Sequence, residues 1–169
     1  MKRRLTLIIT ASLMLASLVL AQSDKMKKGG HSDMQGSGSH VLLDSNEVKW
    51  GPGPPSLPPG AQLAVVEGDP TKAGGTFTVR AKLPDGYKIP PHWHPTTENV
   101  TVLEGTFYMG MGDKFDEAAA RELKPGSFAS MSKGTRHYAW SKGETVIQVH
   151  GVGPFEVTYV NPADDPRKK

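Results

Sequence analysis

The chain has 169 residues, 37% of them hydrophobic and 22% charged, a globular composition sized for one domain. Its formal net charge of +3 comes from Lys2, Arg3 and Arg4. Without them 17 of the 20 basic residues face 17 acidic ones, a balance of zero that gives no sign of the concentrated basic face nucleic acid requires, so no nucleic-acid partner is expected. With no cysteine anywhere, disulfides, thiolate ligands, a thiol nucleophile and a cysteine-linked lipid anchor are excluded as well.

The three cations precede an uncharged apolar run, Leu5 to Leu20, that ends in Val19-Leu20-Ala21. A basic start, an apolar stretch and small residues at the last and third-last positions predict an export signal over residues 1–21, cut after Ala21. At sixteen residues the run falls short of the ~20 that a membrane span needs, so no stable anchor is expected after cleavage. Arg3-Arg4 hints at twin-arginine export, but Leu5-Thr6-Leu7 is a poor context for it and the general secretory route is expected. The expected destination is periplasmic or extracellular. Residues 22–40 are Gly, Ser, Lys and Met with almost no branched apolar side chains, which predicts a disordered linker. His31 and His40 within it read as parts of a solvated tail.

The texture changes at Val41, where a domain spanning residues 41–163 begins, followed by a charged tail, 164–169. Val41 to Leu43 and Val48 to Trp50 read as short edge pieces, and Gly51 to Gly60 (GPGPPSLPPG) as a stiff connection barred from a central strand. Gln62 to Glu67 is a strand. Gly75 to Leu83 is another, with Phe77, Val79, Ala81 and Leu83 alternating with Thr76, Thr78, Arg80 and Lys82. Asn99 to Leu103 and Thr106 to Met111 are expected to form a hairpin around Glu104-Gly105, with Phe107, Met109 and Met111 filling the core. Phe115 to Glu122 is helix-like. Strands follow over Ser127 to Met131, Arg136 to Trp140, Thr145 to His150 and Phe155 to Val160, punctuated by Pro125-Gly126, Gly134 and Lys142-Gly143. About ten short strands with turn signals between them predict one all-β domain, an antiparallel sandwich or barrel.

The stretch Gly86 to Gly105 (GYKIPPHWHPTTENVTVLEG) carries the chemistry. Residues i and i+2 of a strand share a face, so His92 and His94 can reach one point, and the Pro95-Thr96-Thr97 turn lets Glu98 arrive beside them. Two neutral nitrogens and one anionic oxygen suit a borderline divalent metal. A further ligand should come from a distant strand, and His137, just after a glycine turn, is the candidate.

Gly86, five residues, His92, Trp93, His94, three residues, Glu98, six residues and Gly105 together resemble the first cupin motif at every defining position. Gly126, Gly134 and His137 resemble the second, with Ser132 where proline is usual and Ser141 where asparagine is usual. Neither of those two is a metal ligand in the family. The resemblance implies a double-stranded β-helix, the jelly-roll cupin barrel, with a metal bound by the residues matching His92, His94, Glu98 and His137. The donor set suits iron, manganese, nickel, copper or zinc. Four protein ligands leave open positions for a small organic molecule, and for oxygen beside it. A metal-dependent, dioxygenase-like oxidoreductase is the leading expectation, with isomerisation or decarboxylation close to it. The other is a non-catalytic metal-bound module that binds or senses a small molecule. Single-domain cupins commonly pair edge strands, which implies a homodimer. Gln148 and His150 share one strand face and are open between a supporting role at the metal and a surface role, and Arg80 reads as solvated.

Overall fold

The structure is a computed structural model that describes residues 40–169. The expected signal over 1–21, and the expected linker up to its last residue, lie outside the described residues. Among the described residues nine strands form one curled antiparallel sheet: β1 (Gly51–Pro52), β2 (Gln62–Gly68), β3 (Thr76–Leu83), β4 (Lys88–Trp93), β5 (Glu98–Met111), β6 (Arg121–Leu123), β7 (Phe128–Met131), β8 (His137–Val152) and β9 (Thr158–Tyr159). Among the described residues helix is confined to three single 3-10 turns, at Ser45–Glu47, Pro162–Asp164 and Pro166–Lys168.

The spine of the fold is the antiparallel pair β5–β8. The outer half of β8, Thr145 to Val152, also pairs with β3, and its first residues pair with β4. β5 in turn carries β7 along Glu98–Thr101 and β6 along Phe107–Met109. Each long strand therefore serves two different neighbours, and the sheet closes on itself around one core. Strand β3 has the expected alternation: Phe77, Val79, Ala81 and Leu83 are buried, and the residues between them are exposed or half-buried. They pack against Val100, Val102, Ile147 and Val149 from the spine.

Four local expectations are corrected. Glu104-Gly105 is not a hairpin turn; β5 runs straight through it, with the register against β8 shifting between Val102 and Thr106. Gly105 has φ +75°, and a Cβ there would lie 2.3 Å from the Glu144 carbonyl oxygen and 2.6 Å from Thr145 Oγ1. The glycine thus bends the pair as a bulge rather than reversing it, and Lys142-Gly143 sits in the matching bend of β8. Phe115 to Glu122 is not helical. The Asp116 carboxylate accepts from the amides of Ala118 and Ala119, an Asx turn that competes with helix, and Arg121–Leu123 joins β5 as β6. Met111 is 62% exposed because it lies beyond the last residue that β6 covers, whereas Phe107 and Met109 are buried. Val41 to Leu43 forms no strand and is exposed.

The Pro-rich segment is tied to the barrel. Tyr159 Oη donates to the Ser56 carbonyl at 2.8 Å, and Tyr87 Oη donates to the Pro58 carbonyl. Ser141, wholly buried, donates to the Pro84 carbonyl at 2.6 Å and accepts from the Tyr87 amide at 3.1 Å, which locks the turn before β4 onto β8.

Candidate metal centre

Strand pairing brings the predicted residues together. His92, next to last in β4, is the register partner of His137, the first residue of β8, and their ring centroids lie 4.3 Å apart. His94 follows one residue after β4 ends, 5.0 Å from the His92 ring and 5.3 Å from the His137 ring. One nitrogen from each histidine falls within 4.8 Å of the others. Glu98 opens β5 and places Oε2 3.2 Å from His137 Nε2 and 3.6 Å from His94 Nε2. All four residues are buried.

The tautomers follow from the backbone. His92 Nδ1 lies 2.7 Å from the Pro90 carbonyl, His94 Nδ1 2.7 Å from the Glu156 carbonyl and His137 Nδ1 2.9 Å from the Thr135 carbonyl. A carbonyl can only accept, so each Nδ1 carries a proton, and in the neutral form of each ring Nε2 keeps the lone pair. Carbonyl partners of this kind are the usual supports of metal-ligating imidazoles.

Electrostatics favour the same neutral state for His92 and His94. Burial, then the neighbouring His137 and His94, push His92 down to about 3. Burial also lowers His94, against the pull of Glu98. For Glu98 burial is the largest influence and acts upward, but the His137 hydrogen bond and the surrounding imidazoles outweigh it and hold the carboxyl below its ordinary value. His137 is raised, because Glu98 outweighs the burial that would lower it. The cluster is therefore two neutral imidazoles, a carboxylate and a third imidazole beside it.

A metal fits this arrangement. His94 Nε2 is buried without a hydrogen-bond partner, and the buried Glu98 Oε2 has only imidazole nitrogens beside it, His137 Nε2 at 3.2 Å and His94 Nε2 at 3.6 Å. An unpaired buried acceptor costs about 1–3 kcal/mol. What the two atoms lack is a cation. Three Nε2 lone pairs and one carboxylate oxygen are the donor set of a borderline divalent ion. His92, His94 and Glu98 also line a cavity of about 180 Å³, so one side of the cluster is open to a ligand rather than closed off by protein.

Two other open residues are placed elsewhere. Gln148 accepts from Arg80 Nε at 3.2 Å, and neither lines the cavity; His150 is exposed. Two contributors were not read from the sequence. The Glu156 carbonyl orients His94, and the Phe155 ring stacks on His94 at 4.5 Å and 18°. Both lie in a loop where a strand was expected; the strand starts only at Thr158. A main-chain carbonyl has no residue-type signature, and the phenylalanine fitted a strand pattern equally well.

Comparison with known proteins agrees with this architecture. The model of the family described as Domain of unknown function (DUF4437) matches residues 17–158, most of the chain. Germin-like protein subfamily 3 member 2 of Arabidopsis thaliana is 31% identical over 78 residues, 46% of this chain and 34% of the relative, so the match spans about a third of that relative's length. Among solved structures, KdgF from Halomonas sp. superposes with a TM-score of 0.50 at 23% identity, covering 68% of this chain and 95% of its own. A candidate acetylacetone dioxygenase from Methylibium petroleiphilum PM1 gives 0.57 at 18% identity over 76% and 85% of the two chains. The polyketide cyclase RemF from Streptomyces resistomycificus gives 0.57 at 19% identity over 77% and 92%. At these identities the structures speak for the fold alone. With its motifs, its curled sheet and the family match in agreement, the chain belongs to the DUF4437 family, built on the cupin fold.

Proposed function

We propose that this protein holds one divalent transition metal through His92, His94, Glu98 and His137 and uses it on a small organic molecule bound in the adjoining cavity. The observation that carries the reading is the unpartnered buried acceptor His94 Nε2 beside the buried Glu98 carboxylate, in a cluster open to that cavity on one side. Such a metal would act as a Lewis acid and, if redox-active, bring substrate and oxygen together. The chain's own residues supply the rest. Carbonyl-held imidazoles fix the ligand directions, Glu98 supplies the negative charge, and aliphatic walls give the cavity an apolar lining. Among the described residues the cavity offers no acid or base apart from these ligands, so the chemistry is centred on the metal. Oxygenation leads, and the likeness in fold to a candidate dioxygenase is compatible with it. The same absence of a separate acid or base favours one rival, a metal-bound module that binds its molecule without turnover. Export through the leader at 1–21 and pairing as a homodimer through edge strands belong to the same proposal.

The test is elemental analysis of the protein from its native compartment beside the double variant His92→Ala, His137→Ala. About one iron, manganese, nickel or copper per chain, absent from the variant, supports the oxygenase reading and directs oxygen-uptake screens with His94→Ala as control. One zinc per chain moves the reading to non-redox chemistry or binding. Metal content that the double substitution leaves unchanged overturns the assignment.

A further inference from the structure

The metal's surroundings restrict what can lie over it. We propose that the molecule taken up has its oxygen donors gathered at one end and an uncharged, largely hydrocarbon body; the inference rests on the metal reading above. Beyond His92, His94 and Glu98 the cavity is walled by aliphatic side chains, with Val79, Leu83, Ile147 and Val149 among them. Among the described residues no lysine, arginine, aspartate, asparagine or glutamine lines it, and its hydroxyls are those of Ser56 and the exposed Thr71. Of the cations next in sequence to lining residues, Lys72 is exposed beside Thr71 and does not line the cavity, Lys88 Nζ pairs with Glu117 at 2.7 Å, and two others are turned to other partners. Arg80 Nε donates to Gln148, and Lys82 Nζ lies 4.8 Å over the Trp50 ring.

Charge therefore has one place to go. A carboxylate or phosphate at the metal end would be met by the cation bound there. A second charge at the far end would sit among aliphatic side chains with no counter-ion, where its lost hydration is not replaced. A polyhydroxylated body would leave most of its hydroxyls without partners in the same walls. Phe155, stacked on His94 and 5.1 Å from Phe77, adds an aromatic surface suited to a flat or apolar body.

The test compares two probes of the same shape, 4-methylbenzoate and terephthalate, on the full chain loaded with zinc. Each presents one carboxylate to the metal, and they differ only in a methyl or a second carboxylate at the far end. Zinc binding is measured first by titration calorimetry, then each probe is titrated into the zinc-loaded protein. The expected result is binding of 4-methylbenzoate, with terephthalate weaker by about a hundredfold or more. Equal or tighter binding of terephthalate, or binding of neither probe to zinc-loaded protein, overturns the inference and leaves the metal reading intact. If zinc itself does not bind, the metal reading fails, and toluene on the metal-free protein decides the rest. Shifted methyl resonances of Val79 and Val149 keep the apolar-body inference, and unshifted ones overturn it.

Discussion

His92 and His137 are register partners across the β4–β8 pair, with ring centroids 4.3 Å apart. The hydrogen bonds that close the barrel at this edge are thus the ones that set two of the four donor groups. The other two are placed differently. His94 leaves the strand and is caught by the Glu156 carbonyl, and Glu98 enters at the start of β5. A cluster assembled from β4, β5 and β8 and steadied by one loop carbonyl has its geometry fixed by the barrel itself.

That placement makes Glu98 the sole anion of the centre and its substitution the sharpest probe of a metal. Glu98→Gln keeps the shape and removes the charge. Metal affinity is expected to fall by more than the roughly 10- to 100-fold that loss of a supporting partner costs elsewhere. Competition with a chelator of known affinity measures it. An unchanged affinity would remove Glu98 from the ligand set.

Protein stripped of metal is expected to lose stability on acidification. His92 is pushed down to about 3 by burial and its neighbours, whereas its unfolded value is 6.5. Between those values the unfolded chain holds the extra proton, so this contribution is fully present above pH 6.5 and is lost as the pH falls. His94, also lowered, acts in the same direction, and lowered Glu98 adds a loss below its ordinary 4.5. His137 is raised and opposes them; its contribution is fully present below 6.5 and is lost as the pH rises through its higher folded value. Two imidazoles and a carboxylate outweigh one imidazole, so the denaturant midpoint should drop between about pH 7 and pH 4 by the equivalent of a few kcal/mol. A flat or rising midpoint would contradict the assignment of neutral His92 and His94.

Gly105 is the residue on which the spine bends. In Gly105→Ala the new methyl meets the Glu144 carbonyl at 2.3 Å and Thr145 Oγ1 at 2.6 Å, on a backbone with φ +75°. Both neighbours belong to β8 and cannot swing away. The expected loss exceeds about 3 kcal/mol, since strain at a positive φ alone costs about 1–2 kcal/mol and the contact adds to it. Gly134→Ala is the control: its φ is +77° but nothing lies within 4 Å of the added carbon, so only the backbone cost of about 1–2 kcal/mol remains. Chemical denaturation of the pair measures the difference, and equal losses would remove the contact with β8 from the explanation.

The four clustered donors and the β class were legible because they rest on signals that side-chain type carries: strand alternation, ligand identity and the spacing of two motifs. Gly105 and Gly143 were read as reversals because a positive-φ glycine serves a hairpin and a bulge equally. Only the partner strand decides between them, and it is remote in sequence. Phe115 to Glu122 has helical composition, yet Asp116 spends its carboxylate on the next turn and Arg121–Leu123 finds an open edge on β5. The Glu156 carbonyl and the hold of two tyrosines on the Pro-rich segment are main-chain interactions over long separations, to which composition and periodicity are blind.

Those two tyrosines carry the last expectation. Pro54, Ser56 and Leu57 line the cavity, and the segment that contains them is held by Tyr159 at the Ser56 carbonyl and by Tyr87 at the Pro58 carbonyl. Burial and then Asp165 push Tyr159 up to about 12, and burial raises Tyr87 as well, so both phenols remain donors at any ordinary pH. Each hydrogen bond is worth about 1 kcal/mol. In the double variant Tyr87→Phe, Tyr159→Phe the barrel and the donor cluster should persist, because neither hydroxyl bonds to His92, His94, Glu98 or His137. The segment should open more often. Its reporter is the Leu57 amide, which donates to the Pro54 carbonyl at 3.0 Å. Its hydrogen exchange should speed up by about tenfold or more, the factor that loss of about 2 kcal/mol of local stability allows. Metal content should stay at the wild-type level. If Leu57 exchanges at its original rate, the segment is held by packing of Leu57 against the core rather than by the two hydroxyls. The cavity's cover would then be as rigid as the barrel beneath it.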